Sequence, residues 1–339
     1  MYLLEELSKK YKRISIVGMA KNAGKTTALN YLIEESMDEG LVLGVTSTGR
    51  DGEGTDVVTG TDKPKVFLDT DTIVSVPKQL YELADAGLEI LKMTEYGTSL
   101  GQIMLCRVAS AGYVQVAGPV INAQHMTMCE EMLALGAQLV LIDGAIDRKS
   151  IAAPESSDAI ILSTGAVLSR KMNKVVEETA HTVGLYGLPV LEDGEERTII
   201  EEQAESDRVI LLKDGRAVVP DIATGLGAGK YLDGEIDDST THVYIPGAFT
   251  SSTVIDINYR KLKNFTFVLK DPTKIFIDAA LWGQLRKKGL TVKVLDNIEV
   301  AAITVNPTAP AGYAFDHREL VDAMQEAVPD IPVIDVMMA

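Results

Sequence analysis

The chain has 339 residues, 46% of them hydrophobic, and a formal net charge of −17. A chain of this length can bury a large core and is expected to form two domains. The acidic balance argues against nucleic acid and anionic membranes as general partners. No segment approaches the roughly 18 uninterrupted apolar residues that predict a membrane span.

The first residues, MYLLEELSKKYKR, lack the long apolar stretch and the cleavage site of a secretory signal, and they predict a short amphipathic helix. The two cysteines, Cys106 and Cys129, are too few for a disulfide framework, so we expect a reducing, cytoplasmic setting. The four histidines are dispersed without a metal-ligand spacing, and we interpret them as structural.

A phosphate-binding loop is predicted in the segment ISIVGMAKNAGKTTALN, which begins at Ile14. A β-branched strand at 14–17 leads into a tight turn, and a helix starts at Thr26. Backbone N–H groups that curve around a polyphosphate require small side chains, and the helix N-terminus favours the anion. Lys25 would contact the β- and γ-phosphates, and the Thr26 hydroxyl would hold Mg²⁺. The residues predicted to bind the nucleotide are Gly18, Lys21, Asn22, Ala23, Gly24, Lys25, Thr26 and Thr27.

A second motif lies about 120 residues downstream, where the apolar run 139–142 ends in Asp143. This is the form of a Walker B strand, which places a carboxylate beside the phosphate loop at the carboxyl end of a parallel strand. Asp143 would bind Mg²⁺ directly or through water, or orient the attacking water. Lys25 and Asp143 are therefore the predicted catalytic residues.

The polar loop 48–56, TGRDGEGTD, follows the second predicted strand. Asp51 and Glu53 are candidate metal or water contacts there, and Arg50 could reach a phosphate. The predicted metal ligands are thus Thr26, Asp51 and Asp143.

The strand that follows Asp143 in the chain leads to Thr164 and Gly165, which are candidate contacts to the base of the nucleotide.

Strand and helix patterns alternate along the chain, which predicts an α/β fold with a mainly parallel sheet flanked by helices. We assign residues 1–195 to a P-loop NTPase domain. The acidic stretch 192–207 predicts a boundary, and residues 205–339 predict a smaller C-terminal α/β domain with an accessory or partner-binding role. The segment GLGAGK at 225–230 has Tyr231 where a phosphate loop needs Ser or Thr, so we interpret it as an ordinary loop.

Several segments resemble known families. The expanded spacing, with Gly18 six residues before Gly24, is similar to the dethiobiotin synthetase-like branch of P-loop NTPases, and DGA at 143–145 resembles its E-G-A-G-G. TSTGRDGE, LVLIDGAIDRKS, SDAIILSTGA and NPTAPAGYAFDHRELVDAM together resemble the P-loop subunit of the reactivating factor for lysine 5,6-aminomutase. The resemblance implies an accessory protein that uses Mg-ATP to exchange damaged cobalamin on an adenosylcobalamin-dependent aminomutase. It also implies a MutS-like ATPase partner subunit.

Two other functions stay open. The loop spacing and DGA also fit an ATP-dependent carboxylate ligase of the dethiobiotin synthetase type, and a third possibility is a domain that senses nucleotide without hydrolysing it. Neither cysteine lies in the glycine-rich setting of a glutaminase nucleophile, which disfavours an amidating enzyme. GTPases of the usual kind carry an N-K-x-D motif. Here Asn173-Lys174-Val175 is followed by Val176 and not by Asp, which favours ATP over GTP. A homodimer is also consistent with this branch.

Overall fold

A computed structural model describes residues 3–48, 65–144, 157–204, 206–222 and 225–338. The chain divides into two compact units, Met1–Thr179 together with Glu299–Ala339, and Ala180–Ile298. The predicted C-terminal domain at 205–339 therefore needs correction. The segment from Glu299 onward returns to the first unit, because its strand at 300–306 pairs with the strand at 159–165. The α/β fold class agrees with the prediction.

Strands and helices alternate over much of the described chain. In chain order, the described strands are β1 (Arg13–Gly18), β2 (Leu43–Ser47), β3 (Val66–Leu68), β4 (Ile73–Pro77), β5 (Gly87–Thr98), β6 (Gly101–Ser110), β7 (Gly112–Val114), β8 (Leu139–Asp143), β9 (Ala159–Gly165), β10 (Ile210–Lys213), β11 (Arg216–Val218), β12 (Thr240–Ile245), β13 (Phe249–Thr250), β14 (Thr266–Leu269), β15 (Ile275–Phe276), β16 (Val292–Val294), β17 (Val300–Asn306), β18 (Thr308–Ala309), β19 (Tyr313–Ala314) and β20 (Val333–Ile334). The described helices are α1 (Leu3–Lys10), α2 (Lys25–Glu39), α3 (Lys78–Tyr81), α4 (Asn122–Ala134), α5 (Met172–Tyr186), α6 (Glu195–Ala204), α7 (Gly229–Glu235), α8 (Ser251–Val254), α9 (Ala279–Lys287) and α10 (His317–Ala327).

The first unit is built on a sheet whose nine described strands have the order β20-β17-β9-β1-β8-β2-β4-β6-β5. The strands from β20 to β4 are parallel, and β6 pairs antiparallel with β4 and with β5. Strands of this kind are buried on both faces, which explains the continuous apolar runs such as LVLI in β8. The carboxyl ends of β1, β8, β9 and β17 therefore meet at one edge of the sheet.

The antiparallel part of this sheet is a long hairpin, β5 and β6, and the short helix α3 before it ends at Tyr81. The acidic stretch 192–207, which was predicted to be a boundary, contains α6. Its acidic first turn suits a helix N-terminus, Ile200 is buried, and Arg197 bonds Glu201 one turn on at 2.8 Å.

The second unit contains a five-stranded sheet of order β11-β10-β12-β14-β16, in which β12, β14 and β16 are parallel. Its core includes a cluster of aromatic rings, in which the centroid of the Phe267 ring lies 4.9 Å from that of Phe249, in a tilted arrangement, and 5.0 Å from that of Phe265, edge to face. The helix α8 is a single turn that ends at Val254.

Candidate functional site

The turn between β1 and α2, residues 19–24, is defined by two left-handed residues. Asn22 has a φ of 65° and Gly24 a φ of 101°. The left-handed region is cheap for glycine and tolerable for asparagine, so both residue types fit their positions. The Met19 N–H donates to the Ser163 carbonyl at 2.9 Å, which anchors the start of the turn to β9. The turn is therefore held in a tight, specific form.

The N-terminus of α2 has no side chain that caps it. Gly24 occupies the N-cap position, without a side-chain cap hydrogen bond, and the first turn carries no acidic residue. The first N–H groups of a helix lack partners within it and carry its positive partial charge. An uncapped helix start after a left-handed glycine is therefore suited to an anion.

Lys25 lies across this turn and reaches the end of β8. Its Nζ is 3.3 Å from Asp143 Oδ1 and also donates to the Gly144 carbonyl. The Lys25 side chain is only 13% exposed and that of Asp143 is 37% exposed. A Cβ added at Gly18 would lie 2.9 Å from Lys25 Cγ, so glycine at the end of β1 makes room for the lysine stem.

Asp143 is positioned by the sheet. It is the last residue of β8, and its carbonyl accepts hydrogen bonds from the Thr48 N–H at 3.1 Å and the Ser47 hydroxyl at 3.2 Å. The Gly144 N–H donates to the Ile16 carbonyl at 3.1 Å, which keeps β8 beside β1 at this level. The carboxylate is thus fixed at the sheet edge within reach of the lysine.

The structure brings most of the predicted site together. The residues at the end of β1, in the turn, at the start of α2 and at the end of β8 are Gly18, Lys21, Asn22, Ala23, Gly24, Lys25, Thr26, Thr27 and Asp143. Thr26 is half-buried and Thr27 exposed in the first turn of the helix. Arg50, Asp51 and Glu53 lie outside the described residues.

Thr164 and Gly165, the predicted contacts to the nucleotide base, lie at the end of β9. The Thr164 side chain is buried and shares a hydrogen bond of 2.8 Å with the Thr179 hydroxyl, so this side chain is not open to a ligand. Gly165 is required by packing, because an added Cβ would lie 2.0 Å from the Asn306 carbonyl oxygen.

Asn306, at the end of β17, was not predicted as a site residue. Its side-chain Nδ2 donates to the Asn22 carbonyl at 3.3 Å, and a Cβ added at Gly24 would lie 3.2 Å from Asn306 Cβ. No local pattern links an asparagine to a turn 284 residues away. The one available signal was the N-P-T-A-P segment itself, which follows a buried strand.

The buried thiols and histidine are consistent with structural roles. Burial raises the pKa of Cys106 to about 11 and that of Cys129 to about 12, so neither supplies a thiolate at neutral pH. Burial lowers the pKa of His125 to about 4, and its Nδ1 lies 3.8 Å from Cys129 Sγ. In the ranges that the structure describes, no group of three or more His, Cys, Asp or Glu side chains could hold a metal ion.

Comparisons with protein-family models, with curated proteins and with solved structures found no match to this chain. In the part of the chain that the structure describes, no helix is both long and apolar enough to cross a lipid bilayer.

Proposed function

We propose that this chain is a P-loop protein that binds Mg-ATP in the β1–α2 turn. The observation that carries the proposal is the Lys25–Asp143 pair, which lies between an uncapped helix N-terminus and the end of a neighbouring parallel strand. A polyphosphate is bound by positive charge and N–H donors, and Mg²⁺ is bound by carboxylate oxygens. Lys25 and the start of α2 fit the polyphosphate, and Asp143 fits the cation.

The roles of the residues follow from this arrangement. Lys25 would exchange Asp143 for phosphate oxygens, and the N–H groups at the start of α2 would donate to the same anion. Asp143 and the Thr26 hydroxyl would hold the cation, together with Asp51. The bound Mg-ATP supplies a transferable phosphoryl group whose negative charge Lys25 neutralises.

Nucleotide binding is tested by isothermal titration of ATP with Mg²⁺ against the wild type, Lys25→Ala and Lys230→Ala. Lys25→Ala is expected to weaken binding roughly 10- to 100-fold, the cost of losing a hydrogen-bonded charge. Lys230 lies in the glycine-rich segment of the second unit and serves as the matched control, with unchanged affinity expected. Equal affinity in all three proteins would refute the site.

We further propose that the bound energy serves an accessory role, the reactivation of an adenosylcobalamin-dependent aminomutase of the lysine 5,6 type, together with a MutS-like ATPase subunit. This rests on the segment resemblances. Both cysteines, Cys106 and Cys129, are free and buried, which argues against an amidating enzyme with a thiol nucleophile. The dethiobiotin synthetase-type ligase is the alternative, because it needs no cysteine and shares the six-residue glycine spacing.

These two functions are separated by measuring ATP hydrolysis with and without an inactivated cobalamin aminomutase and its partner ATPase. Stimulated hydrolysis with recovered mutase activity is the expected result. ATP-dependent turnover of a small carboxylate by this chain alone would instead establish the ligase.

A further inference from the structure

The residue at the end of β17 contacts three segments at the edge of the large sheet. The Asn306 carbonyl accepts from the Ala166 N–H at 2.8 Å, its Oδ1 accepts from the Thr308 N–H at 3.0 Å, and its Nδ2 donates to the Asn22 carbonyl at 3.3 Å. The first two bonds fix the backbone and the side chain of Asn306. The third bond can then act on the turn from a fixed point.

The turn needs such a fixed point. Asn22 is exposed and has a φ of 65°, a conformation that costs a non-glycine residue on the order of 1 kcal/mol. Gly24, two residues on, is also left-handed. Backbone that alternates in this way forms a concave set of N–H groups that binds anions. A hydrogen bond to the Asn22 carbonyl offsets part of the conformational cost before any anion is present.

We propose that Asn306 is a positioning residue for polyphosphate binding, which holds the β1–α2 turn in its anion-binding form through the Asn22 carbonyl. The inference rests on the proposed nucleotide site and adds a residue distant in sequence that acts on the turn. Asn306 acts through the backbone, so its effect extends to any ligand that uses the turn. It is independent of what the polyphosphate is attached to.

The binding test uses inorganic triphosphate and ATP, each with Mg²⁺, titrated into the wild type and Asn306→Ala. Both ligands are expected to bind roughly three- to tenfold more weakly to the variant, by the same factor, as the loss of one neutral hydrogen bond predicts. A loss confined to ATP would overturn the proposal, because it would indicate a contact to the nucleoside. Unchanged affinity for both ligands would overturn it as well.

Tyr313→Phe is the matched control. Within the part of the chain that the structure describes, the Tyr313 hydroxyl donates to the Ala166 carbonyl in the adjoining segment and not to the turn. Removing this hydroxyl is expected to leave the affinity for triphosphate unchanged. An equal loss in Tyr313→Phe would mean that general loosening of this edge, and not the Asn306 amide, sets the affinity, and would overturn the proposal.

A second measurement does not depend on nucleotide binding. Amide hydrogen exchange of the ligand-free protein should be faster in Asn306→Ala within residues 19–24 and unchanged in β1. If the wild type binds triphosphate but not ATP, the proposed function fails while the positioning role stands; if it binds neither ligand, both fail, and faster exchange in the turn would show only that Asn306 holds the backbone there. Unchanged exchange in the turn would refute the positioning role.

Discussion

Both units end a set of parallel strands at a common edge, yet the polar groups at the two edges have different partners. In the first unit, Lys25 and Asp143 face each other across a turn whose helix start has no side-chain cap. In the second, Asp271 is buried, and its carboxylate accepts from the Thr273 N–H at 2.8 Å and from the Thr273 hydroxyl. An edge becomes a binding site only where its polar groups can exchange their partners for a ligand.

The glycine-rich segments differ in the same way. Gly18 makes room for the Lys25 side chain, whereas Gly225 makes room for Ile245, whose Cγ2 would lie 2.6 Å from an added Cβ. The Gly225 carbonyl also accepts from the buried Thr253 hydroxyl at 2.9 Å. One set of glycines leaves space beside a charged group, and the other permits close packing of apolar side chains.

The largest expected effect tests the packing role of the second unit. Phe267→Ala should lower the free energy of unfolding by about 4 kcal/mol, because a fully buried ring is lost and a cavity remains. Urea unfolding followed by the fluorescence of Trp282, the one tryptophan of the chain, measures it in that unit. Phe276→Ala, at a ring that is 53% exposed, should cost less than about 0.5 kcal/mol. Similar costs for both would contradict the assignment of the core.

The next effect is a pH dependence that should differ between the units. Burial lowers the pKa of His125 from 6.5 to about 4, so the unfolded chain binds its proton first as the pH falls. Stability is then fully present above pH 6.5 and decreases by about 3 kcal/mol as the pH falls to 4. In the second unit, burial also lowers the pKa of His242, but this side chain is only half-buried and should contribute less.

The measurement is the unfolding free energy from pH 7 to pH 4 in the wild type, His125→Leu and His242→Leu. His125→Leu should flatten the pH dependence far more than His242→Leu. An unchanged slope in His125→Leu would show that other groups cause the acid sensitivity.

A smaller effect compares two left-handed glycines. Gly24→Ala and Gly227→Ala should each lose about 1 kcal/mol of stability, because both positions have positive φ, 101° and 70°. Only Gly24→Ala should also weaken ATP binding, since the added methyl group would lie 3.2 Å from Asn306 Cβ and disturb the turn. Thermal unfolding and ATP titration of both variants check this. Weaker binding in Gly227→Ala would erase the distinction between the two segments.

The smallest expected effect concerns partner exchange at the Lys25–Asp143 pair. Asp143→Asn removes the charge that Lys25 must leave, so ATP without Mg²⁺ should bind a few-fold more tightly, while the gain from adding Mg²⁺ should shrink. Asp271→Asn is the control from the second unit and should lower stability without changing either affinity. Isothermal titration of ATP with and without Mg²⁺ measures the affinity for ATP alone and the gain from adding the cation. A full Mg²⁺ effect in Asp143→Asn would remove this residue from the cation site.

Much of the candidate site was predictable from local sequence. The β-branched run before the turn, the small residues in it and the lysine at the helix start each have a short-range physical cause, and the apolar run that ends in Asp143 predicts its own strand. Neighbouring parallel strands then bring Lys25 and Asp143 together, since ligand-binding residues lie at the carboxyl ends of such strands. The burial of the Thr164 side chain against Thr179 was not predictable in this way, because it depends on packing between β9 and α5.

The sequence by itself predicted the strand, the tight turn and the helix start of the candidate site and its two charged residues, because these depend on neighbours a few positions apart. Only the tertiary structure decided that the chain returns to the first unit at Glu299 and that Asn306 bonds the turn. Strand order in a sheet is chosen by the burial of whole faces, and several orders satisfy the same local patterns. The contact between Asn306 and Asn22 is a consequence of that choice.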